Sequence, residues 1–250
     1  FPGWHIECSA MSMKYLGEHF DIHTGGEDHI PIHHTNEIAQ SECATGKKYV
    51  NYWIHGAFLT FKGEKVSKST GGLYTIKELE EIGYNALDFR YLCLLSHYKS
   101  QLSFSLENLD SARNAFSRMK RKIKELTKEI GKGKDLTKEY EKEFLDVIND
   151  DLNTPIAMQL VWKMLDDENY GSDKKLKLVE RFDGVLGLGL GNVKEEKIEI
   201  SKDIKELINL REKLRKEKKW AEADLVRGRI KEKGYLVEDT SEGIKVLKID

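Results

Sequence analysis

The sequence has few cysteines, no long apolar run and almost no net charge, and each of these shortages excludes a class of protein. Its three cysteines, Cys8, Cys43 and Cys93, are too few and too scattered for a disulfide framework, which indicates a reducing compartment such as the cytoplasm. No apolar run approaches the roughly 18 residues of a membrane-spanning helix, so we expect no membrane segment. A net charge of −2 provides no overall attraction to nucleic acid, so a nucleic-acid contact would require a local basic surface.

Charged residues and histidines are unevenly distributed along the chain. Seven of the eight histidines lie at or before His55. Residues 118–134 carry eight Lys or Arg against two Glu, and residues 202–233 carry twelve basic residues against seven acidic ones. Each basic segment is either an ordinary solvated face of a helix or a surface that contacts RNA phosphates.

The first part of the 250-residue chain has the pattern of an α/β layer. A strand is predicted at Phe20–His23, running into a turn at Gly25–Gly26. A helix is predicted from near Pro31 to Gly46, followed by one or two buried strands in YWIHGAFLTF. Strand, helix and strand in this order favour a layered α/β fold.

From Thr75 onward the pattern becomes helical. Thr75 and Glu78 form a capping box, and Ser105 can cap a helix whose apolar stripe runs Leu106, Leu109, Ala112, Phe116, Met119, Ile123, Leu126 and Ile130. Four glycines predict a linker over Gly184–Lys197. Two more helices are predicted at Lys202–Lys218 and Trp220–Lys233, with a β-hairpin turning at Thr240–Gly243.

Cys8, His33 and Glu37 are candidate metal ligands. His33 and Glu37 are four residues apart, so they share one face of a helix and can converge on one ion. Together with Cys8 they supply sulfur, nitrogen and oxygen, a donor set that zinc accepts. The alternative is that Cys8 is a small core residue, His33 begins a helix and Glu37 is solvated.

Two short loops are candidate nucleotide contacts. In GGEDH, glycines after a strand let a ligand approach the backbone, and an acidic residue just beyond can bind ribose hydroxyls. In KVSKSTGG, two ammonium groups on a polar loop can neutralise phosphate charge. Taken alone, the first is more typical of a strand-to-helix turn and the second of a solvated loop.

Six stretches follow one another as they do in bacterial cysteinyl-tRNA synthetases, which are class I aminoacyl-tRNA synthetases. They read PGWHIECSAMS, FDIHTGGEDHIPIHHTNEIAQSE, YWIHGAFLTFKGEKVSKSTGG, ALDFRYLCLLSHYKSQLSFS, DDLNTPIA and AEADLVRGRIKEKGYLVEDTSEG. The resemblance covers almost the whole chain, and the first three stretches are long and specific. KVSKS resembles the KMSKS loop of that family.

The resemblance implies an α/β fold continued by helices. It places the second half of a Rossmann-type catalytic domain at 1–74 and a stem-contact and helical-bundle tRNA- and anticodon-binding domain at 75–192. A small α+β helix–helix–hairpin module that recognises tRNA is implied at 198–250. The first zinc cysteine and the HIGH-like stretch of the family lie outside this sequence, which starts at Phe1. We therefore expect a piece of a longer chain that lacks the N-terminal part of the catalytic domain and is inactive alone.

The resemblance also assigns zinc to Cys8, His33 and Glu37, the trio that the helical spacing indicates, and places Trp4 in the amino-acid pocket. Cysteine and serine differ by one atom, which a pocket rejects poorly by shape. Zinc binds a thiolate readily, whereas a serine hydroxyl has no accessible anion. One Zn²⁺ per subunit is therefore expected to select the thiol, with no editing domain.

The KVSKS loop is expected to bind ATP, which enters with Mg²⁺. Lys65 and Lys68 are the implied catalytic residues, because they would stabilise the charge that moves onto pyrophosphate. Gly26 and Asp28 match the place where class I enzymes hold the adenosine ribose. The full set of implied ATP-binding residues is Lys65, Ser67, Lys68, Ser69, Gly26 and Asp28.

The implied function is that of a cysteine–tRNA ligase. Such an enzyme activates L-cysteine with ATP to cysteinyl-adenylate and transfers it to the 3′-terminal adenosine of tRNA(Cys), here as a cytoplasmic monomer. One alternative is a related ligase that joins cysteine to an amino sugar, but such enzymes lack the C-terminal tRNA module. Another is a non-catalytic zinc- or RNA-binding module derived from a synthetase, which would need neither the trio nor the KVSKS loop.

Overall fold

The computed structural model describes residues 3–61, 64–65, 74–127, 133–193, 201–240 and 243–248. The chain divides into two compact units, which are described separately below. The first comprises residues 1–78 and 86–193, and the second comprises residues 79–85 and 194–250. Among the described residues, no helix combines the length and the apolar character that crossing a membrane requires.

The first unit begins with a mixed α/β layer. Two parallel strands pair from Phe20 opposite Val50 to Gly26 opposite Gly56, and a helix makes the crossover that parallel strands require. The elements in order are α1 (His5–Leu16), β1 (Phe20–Gly26), a 3₁₀ turn (Glu27–His29), a π-helical turn (Ile30–His34), α2 (Thr35–Thr45) and β2 (Val50–Gly56).

The predicted order of strand, helix and strand is confirmed, with two differences in detail. The predicted turn at Gly25–Gly26 is wrong, because both glycines lie in β1 and pair with His55 and Gly56. The predicted helix start near Pro31 falls within the π-helical turn. Helix α2 then ends at Gly46, whose φ of 72° is the left-handed conformation that often closes a helix.

A second small sheet and a group of helices follow. Strand β3 (Leu59–Phe61) pairs antiparallel with β4 (Glu64–Lys65) and parallel with β5 (Leu102–Phe104). The Lys62–Gly63 turn that was predicted after β3 lies outside the described residues. The helices are α3 (Ile76–Glu81), whose residues 79–81 are assigned to the second unit, α4 (Ala86–Leu94), α5 (Leu106–Leu126), α6 (Thr137–Asn149), α7 (Thr154–Asp166) and α8 (Ser172–Leu186).

The predicted helix caps and the apolar stripe are confirmed. The backbone N–H of Glu78 donates to Thr75 Oγ1 at 3.2 Å while the N–H of Thr75 donates to the Glu78 carboxylate at 2.7 Å. Ser105 Oγ accepts from the N–H of Asn108 at 3.1 Å at the start of α5. The stripe residues that are buried are Leu109, Ala112, Phe116, Met119, Ile123 and Leu126. Leu106 is only partly buried, and Ile130 lies outside the described residues.

The linker predicted at Gly184–Lys197 is wrong in its first half. Helix α8 continues to Leu186, and Leu186, Leu188 and Leu190 are buried. Gly187 and Gly189 adopt φ values of 64° and 71°, which let the chain turn so that these leucines face the core. Residues 194–197 lie outside the described part of the chain.

The second unit contains the predicted pair of helices and the hairpin. Its elements are α9 (Lys202–Lys216), α10 (Trp220–Glu232), β6 (Tyr235–Thr240) and β7 (Gly243–Lys248). The strands pair antiparallel from Tyr235 opposite Lys248 to Thr240 opposite Gly243. Its core consists of Leu214, Ala223, Val226, Ile230 and Val237. That residues 75–192 and 198–250 form separate tRNA-binding domains stays a prediction.

Candidate metal centre

The three predicted metal ligands come from three different elements and lie close together. Cys8 lies in α1, His33 in the π-helical turn and Glu37 in the first turn of α2. One ligand atom of each lies within 4.8 Å of the others. His33 Nε2 is 2.9 Å from Glu37 Oε1, as the four-residue spacing predicts for one helical face. The packing of α1 against α2 brings the sulfur of Cys8, which is distant in sequence, close to His33 and Glu37.

Glu37 is a buried carboxylate, and its two oxygens have different surroundings. The residue is 0% exposed, so its charge requires nearby donors or a cation. Oε2 accepts a hydrogen bond from the Tyr49 hydroxyl at 3.4 Å and lies 2.9 Å from His23 Nε2. Oε1 has no aligned hydrogen-bond partner among the described residues, although His33 is close.

This arrangement fits a zinc ion. A thiol, an imidazole and a carboxylate are donor types that zinc takes in proteins. The buried Oε1 lies 2.9 Å from His33 Nε2 and has no aligned hydrogen-bond partner among the described residues, and the Cys8 sulfur lies within 4.8 Å of a Glu37 carboxylate oxygen. A cation at this point would supply the compensation that the carboxylate lacks.

The surroundings of Cys8 disfavour loss of the proton from its thiol. Burial raises its pKa above the ordinary value, and the negative charges of Glu37 and Glu7 raise it further. A divalent ion beside the sulfur would reverse this effect, because a coordinated thiol loses its proton.

A cluster of histidines surrounds the trio and was not assigned from the sequence. His23, His34 and Glu37 form a second group whose ligand atoms lie within 4.8 Å of one another. His34 Nδ1 is 2.8 Å from His55 Nε2. Burial lowers the pKa of His34 to about 4, and the neighbouring imidazoles add to this, so the ring is neutral near pH 7. The excess of histidine before His55 was the available signal, but spacing alone could not assign these rings to one place.

Gly25 and Gly26 make room for this cluster. A Cβ atom at Gly25 would lie 2.5 Å from His34 Cε1 and 2.8 Å from His29 Nδ1. One at Gly26 would lie 2.5 Å from Asp28 Oδ1, and the N–H of Gly26 donates to His29 Nδ1 at 3.2 Å. Gly26 and the exposed Asp28 thus lie at the carboxyl end of β1, the edge of an α/β sheet where ligands commonly bind.

Of the other predicted site residues, Trp4 contacts the trio, Lys65 lies in a strand, and three residues of the KVSKS loop lie outside the described part of the chain. Trp4 is 73% exposed, and its ring meets that of His33 edge-on with centroids 6.2 Å apart. Lys65 lies in β4, where its backbone pairs with Thr60. Ser67, Lys68 and Ser69 lie outside the described residues, so their position relative to the trio stays a prediction.

The basic segments are partly engaged in contacts within the protein. On α5, the Arg118 guanidinium lies 4.9 Å from the centre of the Trp162 ring, and Lys122 forms an ion pair with Asp166. These side chains border a cleft of about 490 Å³ whose lining residues are Arg118, Arg121, Lys122, Glu125, Trp162 and Asp166. In α9, Arg211 is buried and therefore not available to a phosphate.

Comparison with known proteins shows which family the first part of the chain resembles. Residues 1–114 match the family of tRNA synthetases class I (C), catalytic domain. These residues contain the trio, the end of β1 and the KVSKS loop. Over this segment the chain is similar to the class I tRNA synthetases.

The curated relatives that match the chain are named cysteine–tRNA ligases. The chain is 43% identical over 246 residues to cysteine–tRNA ligase 1 of Burkholderia lata, an alignment that covers 97% of this chain and 51% of the relative. It is 38% identical over 264 residues to the cysteine–tRNA ligase of Borreliella burgdorferi, covering 98% of this chain and 55% of that protein. The cysteine–tRNA ligase of Treponema denticola is 38% identical over 268 residues, with 96% and 54% covered. The chain spans about half the length of the curated relatives it matches.

Proposed function

We propose that the chain acts in a cysteine–tRNA ligase, which activates L-cysteine with ATP and transfers the cysteinyl group to tRNA(Cys). The observation that carries the proposal is the convergence of Cys8, His33 and Glu37. The relatives named cysteine–tRNA ligase support it, because their similarity extends over nearly the whole chain.

Cys8, His33 and Glu37 would hold one zinc ion through sulfur, nitrogen and oxygen. Bound zinc would take the substrate's side chain as a thiolate, which serine cannot supply. Trp4, edge-on to His33, would form a wall of the same pocket.

The ATP side of the reaction would use the carboxyl end of β1 and the KVSKS loop. Asp28 would accept hydrogen bonds from the ribose hydroxyls, with Gly26 keeping the backbone open to the nucleotide. Lys65 and Lys68 would stabilise negative charge on the departing pyrophosphate, while Ser67 and Ser69 would donate hydrogen bonds to phosphate oxygens. Mg²⁺ would enter with ATP.

The rest of the chain would serve the tRNA. We propose that residues 1–74 form the second half of a Rossmann-type domain and that residues 75–192 and 198–250 contact the tRNA stem and anticodon region. Lys and Arg outside the internal contacts described above would supply salt-dependent affinity for phosphates. We also propose that the protein is a monomer and that it acts in the cytoplasm, where tRNA is charged.

The experiment measures zinc content and cysteine-dependent pyrophosphate exchange in the complete gene product. The wild type is expected to hold one zinc per chain, and Cys8→Ser to lose both the zinc and the exchange activity. Cys43→Ser is the matched control, because Cys43 is exposed and lies outside the trio. A wild-type protein without zinc, or one that activates serine nearly as well as cysteine, would refute the proposal.

A further inference from the structure

The two oxygens of the buried Glu37 carboxylate have different neighbours. Oε1 lies 2.9 Å from His33 Nε2, whereas Oε2 contacts His23 and Tyr49. A carboxylate that is free to rotate can bind a metal through one oxygen or through both. The surroundings of Oε2 therefore determine how many coordination positions Glu37 occupies.

The ring of His23 is held by its aromatic neighbours. Its centroid lies 4.8 Å from that of Trp53 and 5.7 Å from that of Phe20, both in edge-to-face geometry. Nε2 is buried and has no aligned hydrogen-bond partner among the described residues, but it lies 2.9 Å from Glu37 Oε2. The aromatic neighbours thus orient the imidazole so that its Nε2 lies beside Oε2 of Glu37.

Tyr49 is held still more firmly. The residue is 0% exposed, and its N–H donates to Glu42 Oε1 at 3.0 Å. Its hydroxyl donates to Glu37 Oε2 at 3.4 Å. The hydroxyl groups of Ser9 and Ser41 are buried nearby without an aligned hydrogen-bond partner among the described residues.

We propose that His23 and Tyr49 are positioning residues that hold Oε2 of Glu37, so that the carboxylate binds zinc through Oε1 alone. Binding through one oxygen leaves a coordination position for the substrate thiol, which two-oxygen binding would occupy. The inference rests on the proposed zinc site and adds to it the residues that keep that position open. Partners that orient metal ligands in this way typically contribute about 10–100-fold in metal affinity.

A competing arrangement uses His23 itself as a ligand. His23, His34 and Glu37 also lie close enough to share an ion. However, His34 Nδ1 already contacts His55, and the second group offers no sulfur. If His23 is a ligand, its loss should abolish zinc binding, whereas if it is a positioning residue, one zinc per chain should still bind at saturation.

The test measures zinc affinity by competition with a chelator in the complete gene product, with folding checked by circular dichroism. Tyr49→Phe is expected to weaken zinc binding about 10-fold, and His23→Ala by about 10–100-fold, with one zinc per chain retained at saturation. His23→Gln, which keeps a side-chain donor, should recover part of the loss. Tyr52→Phe is the matched control, since Tyr52 is 68% exposed in the adjacent strand and should bind zinc as the wild type does.

A spectroscopic readout separates positioning from general stability. With Co²⁺ in place of zinc, Tyr49→Phe should reduce the intensity of the visible d–d bands, because a carboxylate that binds through both oxygens raises the coordination number. His23→Ala losing zinc as completely as Cys8→Ser would make His23 a ligand and overturn the inference. Zinc affinity and Co²⁺ spectra unchanged in Tyr49→Phe would overturn it as well. A wild type that binds no zinc would overturn the proposed function and the inference together.

Discussion

Replacing Gly25 by alanine tests whether the packing of the histidines requires this glycine. The added Cβ would lie 2.5 Å from His34 Cε1 and 2.8 Å from His34 Nε2, about 1 Å closer than the 3.5–4.0 Å of normal carbon contacts. His34 cannot easily move away. Its residue is only 4% exposed, its ring centroid lies 4.7 Å from that of Trp53, and Nδ1 is 2.8 Å from His55 Nε2.

Overpacking of this kind typically costs about 1–3 kcal/mol of folding free energy. For a chain of this size, each kcal/mol lowers the melting temperature by about 2–4 °C, so Gly25→Ala should melt roughly 2–12 °C below the wild type. Thermal unfolding followed by circular dichroism measures this shift. The matched control is Gly56→Ala in the paired strand, where the nearest atom to the new Cβ is the Tyr98 carbonyl oxygen at 3.8 Å. Equal melting temperatures for the two variants would refute the reasoning.

Three further predictions address a helix cap, a buried tyrosine and the KVSKS loop. Ser105→Ala should cost about 1 kcal/mol in denaturant unfolding because the N–H of Asn108 loses its acceptor, whereas Ser117→Ala, at an exposed position within α5, should not. The Tyr140 hydroxyl donates to Asp167 Oδ2 at 2.8 Å, and burial, helped by this carboxylate, raises the pKa of Tyr140. The stability from this raised pKa is complete below pH about 10 and is lost above it. Tyr140→Phe should therefore flatten the alkaline unfolding profile, and an unchanged profile would contradict this. Lys68→Ala should depress pyrophosphate exchange far more than cysteine affinity, and equal losses would argue against stabilisation of the departing charge.

The candidate site was partly predictable because part of it is local. His33 and Glu37 share a helical face, and their four-residue spacing placed Nε2 and Oε1 2.9 Å apart. The caps at Thr75 and Ser105 are equally local, since each side chain bonds to a backbone group three residues away. Interactions within one helical turn are specified by residue type and spacing.

The histidine cluster was not predictable in the same way. His23 and His34 come from a strand and a turn, yet their ring centroids lie 4.8 Å apart, and His55 joins from the neighbouring strand. The predicted turn at Gly25–Gly26 failed for a related reason. Pairing with His55 and Gly56 extends the strand through both glycines, and a single stretch of sequence carries no information on its pairing partner.

The helical periodicity, the caps and the pairing of His33 with Glu37 can be read from the amino-acid order, because they depend on contacts a few residues apart. The folded chain was needed to show that Cys8 reaches them, that His23 and Tyr49 contact one oxygen of Glu37, and that the other oxygen is buried without an aligned partner among the described residues. Burial and convergence depend on how α1, α2 and the two strands pack together, and that packing joins residues that no local spacing connects.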